Sequence, residues 1–333
     1  MDNNLDNEQQ QEDDDKTSIT KEEKTKILMQ FNSLLEEALA KNSINIIAED
    51  EIKKGEIIGE GAFGKVYKGT YKDVHIVAIK KLLFDVTDKD FDPLPKVNEI
   101  VNEINIIQMA KHDNIPVFFG IWRRKKNLNL VFEFIDGPML KDFYQQTSFN
   151  DKIDLLIQLV KIIEFMHKKK LIHRDIKPGN VMIRSKDNMV KLIDFGTSKI
   201  AKNTCTHTAS PSGTVCYIPP EAFHVELHKN EEDQQPERSD GKFLEITPKY
   251  DIWSLGAMIS EIFSGVTPWS NKVKGQFGIQ NQLIKKTPFP IPKKQLDKFP
   301  DIIQIIEACT EIDVAKRCNA TQLLELLSKV ERK

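Results

Sequence analysis

The period of the hydrophobic pattern changes once along the chain, and this change limits the folds that the sequence can adopt. From Ile52 to about Leu83, short alternating apolar runs are broken by glycine, which is typical of strands. VFFGIW and LNLVFEF predict two more strands, and KVNEIVNEINIIQMAK before them predicts a helix. Beyond Gly137 and Pro138, long helical patterns such as DKIDLLIQLVKIIEFMHKK dominate. The order of these parts predicts an α+β chain in two lobes with a cleft between them.

The first residues differ from the rest in charge. Residues 1–15 contain no basic side chain and seven acidic ones: Asp2, Asp6, Glu8, Glu12, Asp13, Asp14 and Asp15. Because the net charge of all 333 residues is −2, the remaining body carries about +5. That charge suits an anionic ligand and is too weak to predict nucleic-acid binding. The tail, residues 1–20, is predicted to be disordered because it has little apolar surface to bury.

A helix and linker are predicted at residues 21–51. Thr20 and Glu23 have the spacing of a capping box, and apolar residues recur at helical spacing from Ile27 to Leu39. The helix is expected to run from about 21 to 41. We expect it to dock on the domain that follows, with docking on a partner as the alternative.

The composition favours a soluble intracellular protein. No segment approaches eighteen uninterrupted apolar residues, and the acidic start is unlike a signal peptide. The four cysteines lack CxxC spacing and are expected to be reduced thiols: Cys205, Cys216, Cys309 and Cys318. These features predict a cytoplasmic location, with the nucleus as the alternative, and no membrane partner.

A polar stretch, HVELHKNEEDQQPERSDGK at about 224–242, interrupts the helical part. It is interpreted as a surface insertion, and a partner-binding loop is the alternative.

The segment from Gly59 to Gly64, GEGAFG, matches GxGxxG, which by itself is a weak signal. A dinucleotide-binding fold would need a helix to open at these glycines. The chain continues instead as alternating strand, so the glycines are predicted to lie at a hairpin tip. Backbone N–H groups there can approach phosphates closely.

Lys80, Asp194 and Asn180 are further candidates. Lys80 ends the strand VAIK and, if it points inward, needs an anionic partner, for which Glu99 and Glu103 are both available on one helix face; an ordinary lysine at a strand end is the alternative. Asp194 follows the strand VKLI, and its carboxylate together with the Asn180 amide could bind Mg²⁺; a simple turn at DFG is the alternative.

GEGAFGKV, VAIK, a helical glutamate, HRDIKPGN and DFG occur in one order, and this combination resembles the eukaryotic protein kinases. The resemblance covers the domain at residues 52–330. It implies a two-lobed protein kinase fold, with a small antiparallel β-rich N-lobe at about 52–135 that has one main helix. A larger, mostly helical C-lobe would occupy about 136–330.

The resemblance implies roles for the HRDIKPGN loop. Asp175 would accept or orient the proton of the substrate hydroxyl, and Lys177 would offset charge on the transferring phosphoryl group. Asn180 and Asp194 would hold Mg²⁺. His173 and Phe195 are expected to pack together and support the active arrangement.

The same resemblance implies an ATP site and selects Glu103 as the catalytic partner of Lys80. Phe132 would be the gatekeeper, the Glu133 and Ile135 backbones the hinge, and Met182 the floor beneath the adenine. The complete set of expected ATP-binding residues is Ile58, Gly59, Glu60, Gly61, Ala62, Phe63, Gly64, Lys65, Val66, Ala78, Lys80, Phe132, Glu133, Ile135 and Met182.

The expected acceptors are serine and threonine hydroxyls of protein substrates. Lys177 and Thr214 resemble the residues of serine/threonine kinases, and the N-lobe sequences are most similar to the tyrosine-kinase-like group. Tyrosine or dual specificity stays open. The rival hypotheses are a pseudokinase scaffold and a kinase for small molecules or lipids.

The resemblance also implies control through the activation segment, Asp194 to Glu221. Ser210 or a neighbour such as Ser212 is predicted to be phosphorylated by an upstream kinase and paired with Arg174; a merely hydroxyl-rich loop is the alternative. Thr214 is assigned to the same regulatory group. Glu221 is expected to pair with Arg317. The oligomeric state is not predicted.

Overall fold

The computed structural model describes residues 20–61, 64–82, 91–124, 127–201, 206–208, 213–223 and 244–333. Most of the acidic tail, Ala62 and Phe63 of the glycine segment, Ser210 and Ser212, and the insertion 224–242 lie outside these residues. The described chain forms two compact units. The first comprises Met1–Asn105 and Phe118–Glu133, and the second comprises Ile106–Val117 and Phe134–Lys333.

The first unit is built on a six-stranded sheet in the order β1-β5-β6-β4-β3-β2. Its strands are β1 (Ile46–Ile47), β2 (Ile52–Gly61), β3 (Gly64–Tyr71), β4 (His75–Lys81), β5 (Phe118–Arg124) and β6 (Asn127–Glu133). Neighbouring strands are antiparallel, except that β1 pairs in parallel with β5. Val77, Ile79 and Val131 are fully buried in its core, as the alternating pattern requires.

Two helices accompany this sheet, α1 (Lys21–Lys41) and α2 (Pro93–Met109). The predicted capping box opens α1: Thr20 Oγ1 accepts from Glu23 N at 3.2 Å, and Glu23 Oε2 accepts from Thr20 N at 2.8 Å. The predicted helix from 21 to 41 is confirmed. Phe31, Leu35 and Leu39 of α1 are at most 2% exposed, so α1 docks within its own chain.

The second unit is mostly helical. Its helices are α3 (Leu140–Phe143), α4 (Phe149–Lys168), α5 (Lys249–Ser264), α6 (Gly275–Ile284), α7 (Lys293–Leu296), α8 (Pro300–Cys309) and α9 (Ala320–Ser328). Its short strands are β7 (Leu171–Ile172), β8 (Val181–Arg184), β9 (Met189–Leu192), β10 (Lys199–Ile200), β11 (Thr206–Thr208) and β12 (Leu244–Ile246). Helix α5 packs against α8, and α4 packs against α9. The α+β prediction is confirmed.

Two details differ from the expectation. Ile46 and Ile47, which lie in the predicted linker, form the parallel edge strand β1. A two-residue strand is too short to show the alternation that identifies longer strands. Helix α2 begins at Pro93, three residues before the predicted start at Lys96, because proline is well tolerated in the first helical turn.

Within the described part of the chain, none of the helices is long and apolar enough to cross a membrane. Cys216, Cys309 and Cys318 are free thiols, in agreement with the expectation. Cys205 lies outside the described residues.

Candidate active site

The loop after β7 holds Asp175 in a hydrogen-bond network. Its carboxylate is almost fully buried, with 2% of the side chain exposed. Asp175 Oδ2 accepts from Lys177 Nζ at 2.6 Å and from Asn180 Nδ2 at 2.8 Å. A 3₁₀ turn at Pro178–Asn180 brings Asn180 back onto the loop, where its amide also donates to Asp175 O at 2.8 Å. The three residues to which the resemblance gave roles in this loop, Asp175, Lys177 and Asn180, therefore form one cluster.

Thr214 contacts this cluster from 39 residues further along the chain. Its backbone N and its Oγ1 both donate to Asp175 Oδ1, at 2.9 and 3.1 Å. Lys177 Nζ donates to Thr214 Oγ1 at 2.7 Å. Each carboxylate oxygen of Asp175 thus has its own donors, which restrict rotation of the carboxylate about its axis.

Asp251, which the sequence motifs did not single out, holds the loop of Asp175 through hydrogen bonds to its backbone. It is fully buried at the start of α5 and accepts from the backbone N atoms of His173, at 2.9 Å, and Arg174, at 2.8 Å. His167 Nε2 lies 2.9 Å from Asp251 Oδ2. Burial favours a raised pKa for Asp251, but the hydrogen bond with His167 and the neighbouring histidines bring its pKa below the usual value. The available sequence signal was a carboxylate that opens an otherwise apolar run, DIWSLG.

His173 and Phe195 contact each other as expected. Their rings meet edge to face, with centroids 5.2 Å apart and an interplanar angle of 62°. His173 is fully buried, and this burial lowers the pKa of its imidazole. The pair joins the loop of Asp175 to the DFG segment within the second unit.

Arg174 has an unusual environment. Its backbone has a φ of 68°, and its side chain is buried, which lowers the pKa of the guanidinium. Nε donates to Thr197 O at 2.5 Å, while Nη1 is buried without a hydrogen-bond partner among the described residues. Ser210 and Ser212, the predicted sites of the paired phosphate, lie outside those residues.

Asn180 and Asp194 fit a divalent metal ion that is shared with a phosphate ligand. Asn180 uses its amide nitrogen for two bonds to Asp175, which directs the amide oxygen elsewhere. Its backbone O accepts from Ile193 N at 2.9 Å, and Ile193 lies between the end of β9 at Leu192 and Asp194. The described residues hold no cluster of three or more His, Cys, Asp or Glu that could form an all-protein cage. Mg²⁺ is commonly bound by one or two protein oxygens together with substrate phosphates, so the residues present fit.

The glycine segment of the first unit lies on a β-hairpin, as predicted. Gly59 pairs with Val66 and Gly61 with Gly64 in the antiparallel β2–β3 ladder. Gly64 has a φ of 119°, a conformation that residues with a Cβ rarely adopt. Because a strand and not a helix follows, the alternative of a dinucleotide-binding fold is excluded. Ala62 and Phe63 lie outside the described residues, so their predicted contacts stay predictions.

Lys80 pairs with Glu103, the glutamate that the resemblance selected. Lys80 Nζ lies 3.3 Å from Glu103 Oε1, and their side chains are only 14% and 12% exposed. Glu99, whose side chain is 63% exposed, instead binds Lys96 at 3.0 Å. Since Lys80 is on β4 and Glu103 on α2, this ion pair joins the sheet to the helix within the first unit.

Other expected adenine-site residues share the β3–β4–β6 part of the sheet. Val66 lies opposite Lys80, and Ala78 lies opposite Phe132. The Phe132 ring packs on Phe118 with centroids 5.4 Å apart. The remaining expected residues of the first unit are Ile58, Glu60 and Lys65 on the hairpin and Glu133 at the end of β6. In the second unit, Ile135 is buried, and Met182 lies on β8 opposite Lys191.

The expected pair of Glu221 and Arg317 is present. The guanidinium donates to both carboxylate oxygens, at 2.6 and 3.0 Å, and the Arg317 side chain is fully buried. This bidentate pair ties the end of the activation segment to the residues that precede α9.

The fold and these clusters define a protein kinase. Residues 52–326 match the family model described as the protein kinase domain, and the chain belongs to this family. Membership implies the use of ATP with a divalent metal ion and confirms the resemblance to protein kinases.

The chain is similar to several named protein kinases. It is 28% identical to mitogen-activated protein kinase kinase kinase 3 of Arabidopsis thaliana, over 82% of this chain and 40% of the relative. It is 28% identical to mitogen-activated protein kinase kinase kinase A of Dictyostelium discoideum, over 84% and 28%. It is 29% identical to the serine/threonine-protein kinase BCK1/SLK1/SSP31 of Saccharomyces cerevisiae, over 86% and 18%. The chain spans less than half of the length of these relatives.

Proposed function

We propose that this chain transfers the γ-phosphate of ATP to serine and threonine hydroxyls of protein substrates in a signalling pathway. The observation that carries this proposal is the orientation of the Asp175 carboxylate by Lys177, Asn180 and Thr214. A carboxylate held in this way can accept the proton of a substrate hydroxyl as the oxygen attacks phosphorus.

Two lysines, one in each unit, would stabilise the charge that moves during transfer. Lys177, beside Asp175, would offset charge on the γ-phosphoryl group, and Lys80, held by Glu103, would bind phosphate oxygens of ATP. The backbone N–H groups of the glycine hairpin would bind phosphates as well. The adenine would contact Val66, Ala78 and Met182, with the Glu133 and Ile135 backbones as its hydrogen-bonding partners.

Mg²⁺ is the divalent ion that we propose, held by Asp194 and Asn180. When bound, it would neutralise phosphate charge and orient the γ-phosphoryl group. Hard oxygen donors of this kind favour Mg²⁺ over softer metals. The role of Asn180 would then be double, since its nitrogen orients Asp175 and its oxygen would be available to hold the metal ion.

We also propose that phosphorylation of Ser210 or a neighbour, such as Ser212, by an upstream kinase raises activity. Arg174 supports this proposal, because its buried guanidinium has an Nη1 without a hydrogen-bond partner among the described residues, which favours an anionic group beside it. Mass spectrometry of the active protein would locate the phosphate. An unmodified activation segment in fully active protein would contradict the proposal.

The relatives' names point to protein substrates within a kinase cascade. Two of the relatives described above are named mitogen-activated protein kinase kinase kinases. We propose that this chain likewise phosphorylates another protein kinase. A cytoplasmic location stays a prediction.

The deciding experiment measures transfer of ³²P from [γ-³²P]ATP, with Mg²⁺, to dephosphorylated casein. Asp175→Asn should abolish transfer, whereas Asp187→Asn, an exposed aspartate that binds Arg184, should leave it unchanged. Phosphoamino-acid analysis should yield phosphoserine and phosphothreonine, and phosphotyrosine would overturn the acceptor assignment. If parent protein phosphorylated on the activation segment binds ATP without transferring phosphate, the scaffold hypothesis replaces this proposal.

A further inference from the structure

Helix α1 buries an apolar stripe within the first unit and is hydrogen-bonded to the sheet. Phe31, Leu35 and Leu39, four residues apart, form a buried stripe that is at most 2% exposed. Arg123 of β5 adds hydrogen bonds to α1, to Glu36 Oε1 at 2.8 Å and to Asn32 Oδ1 at 2.7 Å. These contacts give α1 a defined place on the domain.

The same helix contacts the α2 region on both sides of Glu103. The Phe31 ring packs on Phe91, two residues before α2, with centroids 5.9 Å apart. Asn42, the residue directly after α1, accepts through its Oδ1 from Asn105 Nδ2 at 3.2 Å. Asn42 is itself held in place, because its amide nitrogen donates to Ala38 O at 2.7 Å. Asn105 is two residues beyond Glu103 on α2.

The segment after α1 continues directly into the sheet. Strand β1 pairs with β5, and Asn45 Nδ2 donates to Phe119 O at 2.7 Å. A Cβ at Gly120 would lie 2.4 Å from Asn45 O, and Gly120 has a φ of 148°, so only glycine permits this approach. Strand β5 pairs with β6, and β6 pairs with β4, the strand that contains Lys80. Residues 31–47 therefore contact both the helix of Glu103 and the sheet of Lys80.

We propose that α1 and β1 are a positioning element for the Lys80–Glu103 pair, with Phe31, Asn42 and Asn105 as its positioning residues. The proposal rests on the proposed kinase function. The pair joins two long side chains on separate elements at 3.3 Å, so its geometry depends on where α2 lies relative to the sheet. Misplacement of a catalytic group by about 1 Å can lower a rate by roughly 10²-fold. The element would hold α2 in the position in which Glu103 pairs with Lys80, so that Lys80 can bind phosphate.

The test uses the full chain with Phe31→Ala and Asn105→Ala. We expect Phe31→Ala to lower kcat/KM for ATP by roughly tenfold and Asn105→Ala by a smaller factor. Phe31→Leu should restore most of the loss. Met29→Ala is the matched control, because Met29 is on the same helix but 67% exposed. Circular dichroism at the assay temperature verifies that each variant is folded, and if Phe31→Ala is not folded, Asn105→Ala provides the test.

A double-mutant cycle separates positioning from general destabilisation. In a Glu103→Gln background the ion pair is already lost, so Phe31→Ala and Asn105→Ala should cause little further loss of kcat/KM. Equal losses in both backgrounds, or losses no larger than that of Met29→Ala, would overturn the proposal.

A second readout does not depend on phosphate transfer. Amide hydrogen exchange of residues 93–109 should become faster in Phe31→Ala and Asn105→Ala but not in Met29→Ala. If the parent protein fails to transfer phosphate, the proposed function fails, and the inference about α1 is judged on this exchange and on Mg-ATP affinity. Unchanged exchange and affinity in both variants would then overturn it.

Discussion

Thr214 donates twice to one oxygen of Asp175, through its backbone N at 2.9 Å and its Oγ1 at 3.1 Å to Asp175 Oδ1. The same hydroxyl accepts from Lys177 Nζ at 2.7 Å. One threonine therefore links the proposed base to the proposed phosphate-binding lysine. The activation segment and the catalytic loop are joined here by hydrogen bonds within the second unit.

Thr214→Ala should lower kcat by at least tenfold, which corresponds to about 1.4 kcal/mol in the activation free energy. The reason is that Asp175 and Lys177 both lose a partner that limits their rotation. Thr214→Ser keeps the hydroxyl and should retain most of the activity. The measurement is kcat at saturating Mg-ATP, and equal values for the alanine and serine variants would contradict this prediction.

Glu221→Ala should lower the free energy of unfolding by about 3 kcal/mol, because it leaves the fully buried Arg317 without its carboxylate. Urea denaturation followed by circular dichroism measures this change. Lys316→Ala is the control: Lys316 precedes Arg317, its side chain is 76% exposed, and we expect a change within about 0.5 kcal/mol. A loss in Glu221→Ala as small as in the control would show that the pair adds no stability.

Stability should decrease as the pH falls below about 6.5, in part because of His173. Burial lowers the pKa of His173 in the folded protein, whereas in the unfolded chain the pKa is about 6.5. Between these two values the unfolded state binds more protons, so the free energy of unfolding falls with decreasing pH.

His173→Phe keeps an aromatic partner for Phe195 and removes the titrating group. Between pH 6.5 and 5.5, the free energy of unfolding of this variant should then depend less steeply on pH than that of the parent. The slope should be smaller by up to about 1.4 kcal/mol per pH unit. Urea titrations at several pH values measure the slope. Parallel pH profiles for parent and variant would assign the pH dependence to other groups.

Gly179→Glu should create a preference for arginine upstream of the acceptor. We expect the parent to lack this preference, because Met139 and Gly179 stand at positions where the resemblance implies glutamates in arginine-directed kinases. A Cβ at Gly179 would meet only Lys141 Cδ at 3.8 Å and Lys177 Cε at 3.9 Å, so a side chain fits without a clash. The added carboxylate would offset the positive charge of these lysines. Peptide arrays compare the parent with Gly179→Glu and the neutral Gly179→Gln. A strong basic preference in the parent would refute the expectation.

Features encoded by nearby residues were predictable from the sequence. The bounds of α1 follow from the capping box at Thr20 and the apolar repeat, because both act within one or two helical turns. The glycine hairpin follows from the strand pattern on both sides of the glycines. The partner of Lys80 was narrowed to two glutamates by helical spacing, and the resemblance to kinases selected Glu103.

Other features depend on contacts between distant parts of the chain, and only the tertiary structure determined them. Asp251 binds backbone groups 77 and 78 residues earlier, and Thr214 binds Asp175 across 39 residues. The pairing of β1 with β5 depends on Asn45 reaching Phe119, 74 residues away. Sequence periodicity reports the faces of single elements, whereas these contacts depend on how the elements pack, which local hydrogen bonds and side-chain preferences do not specify.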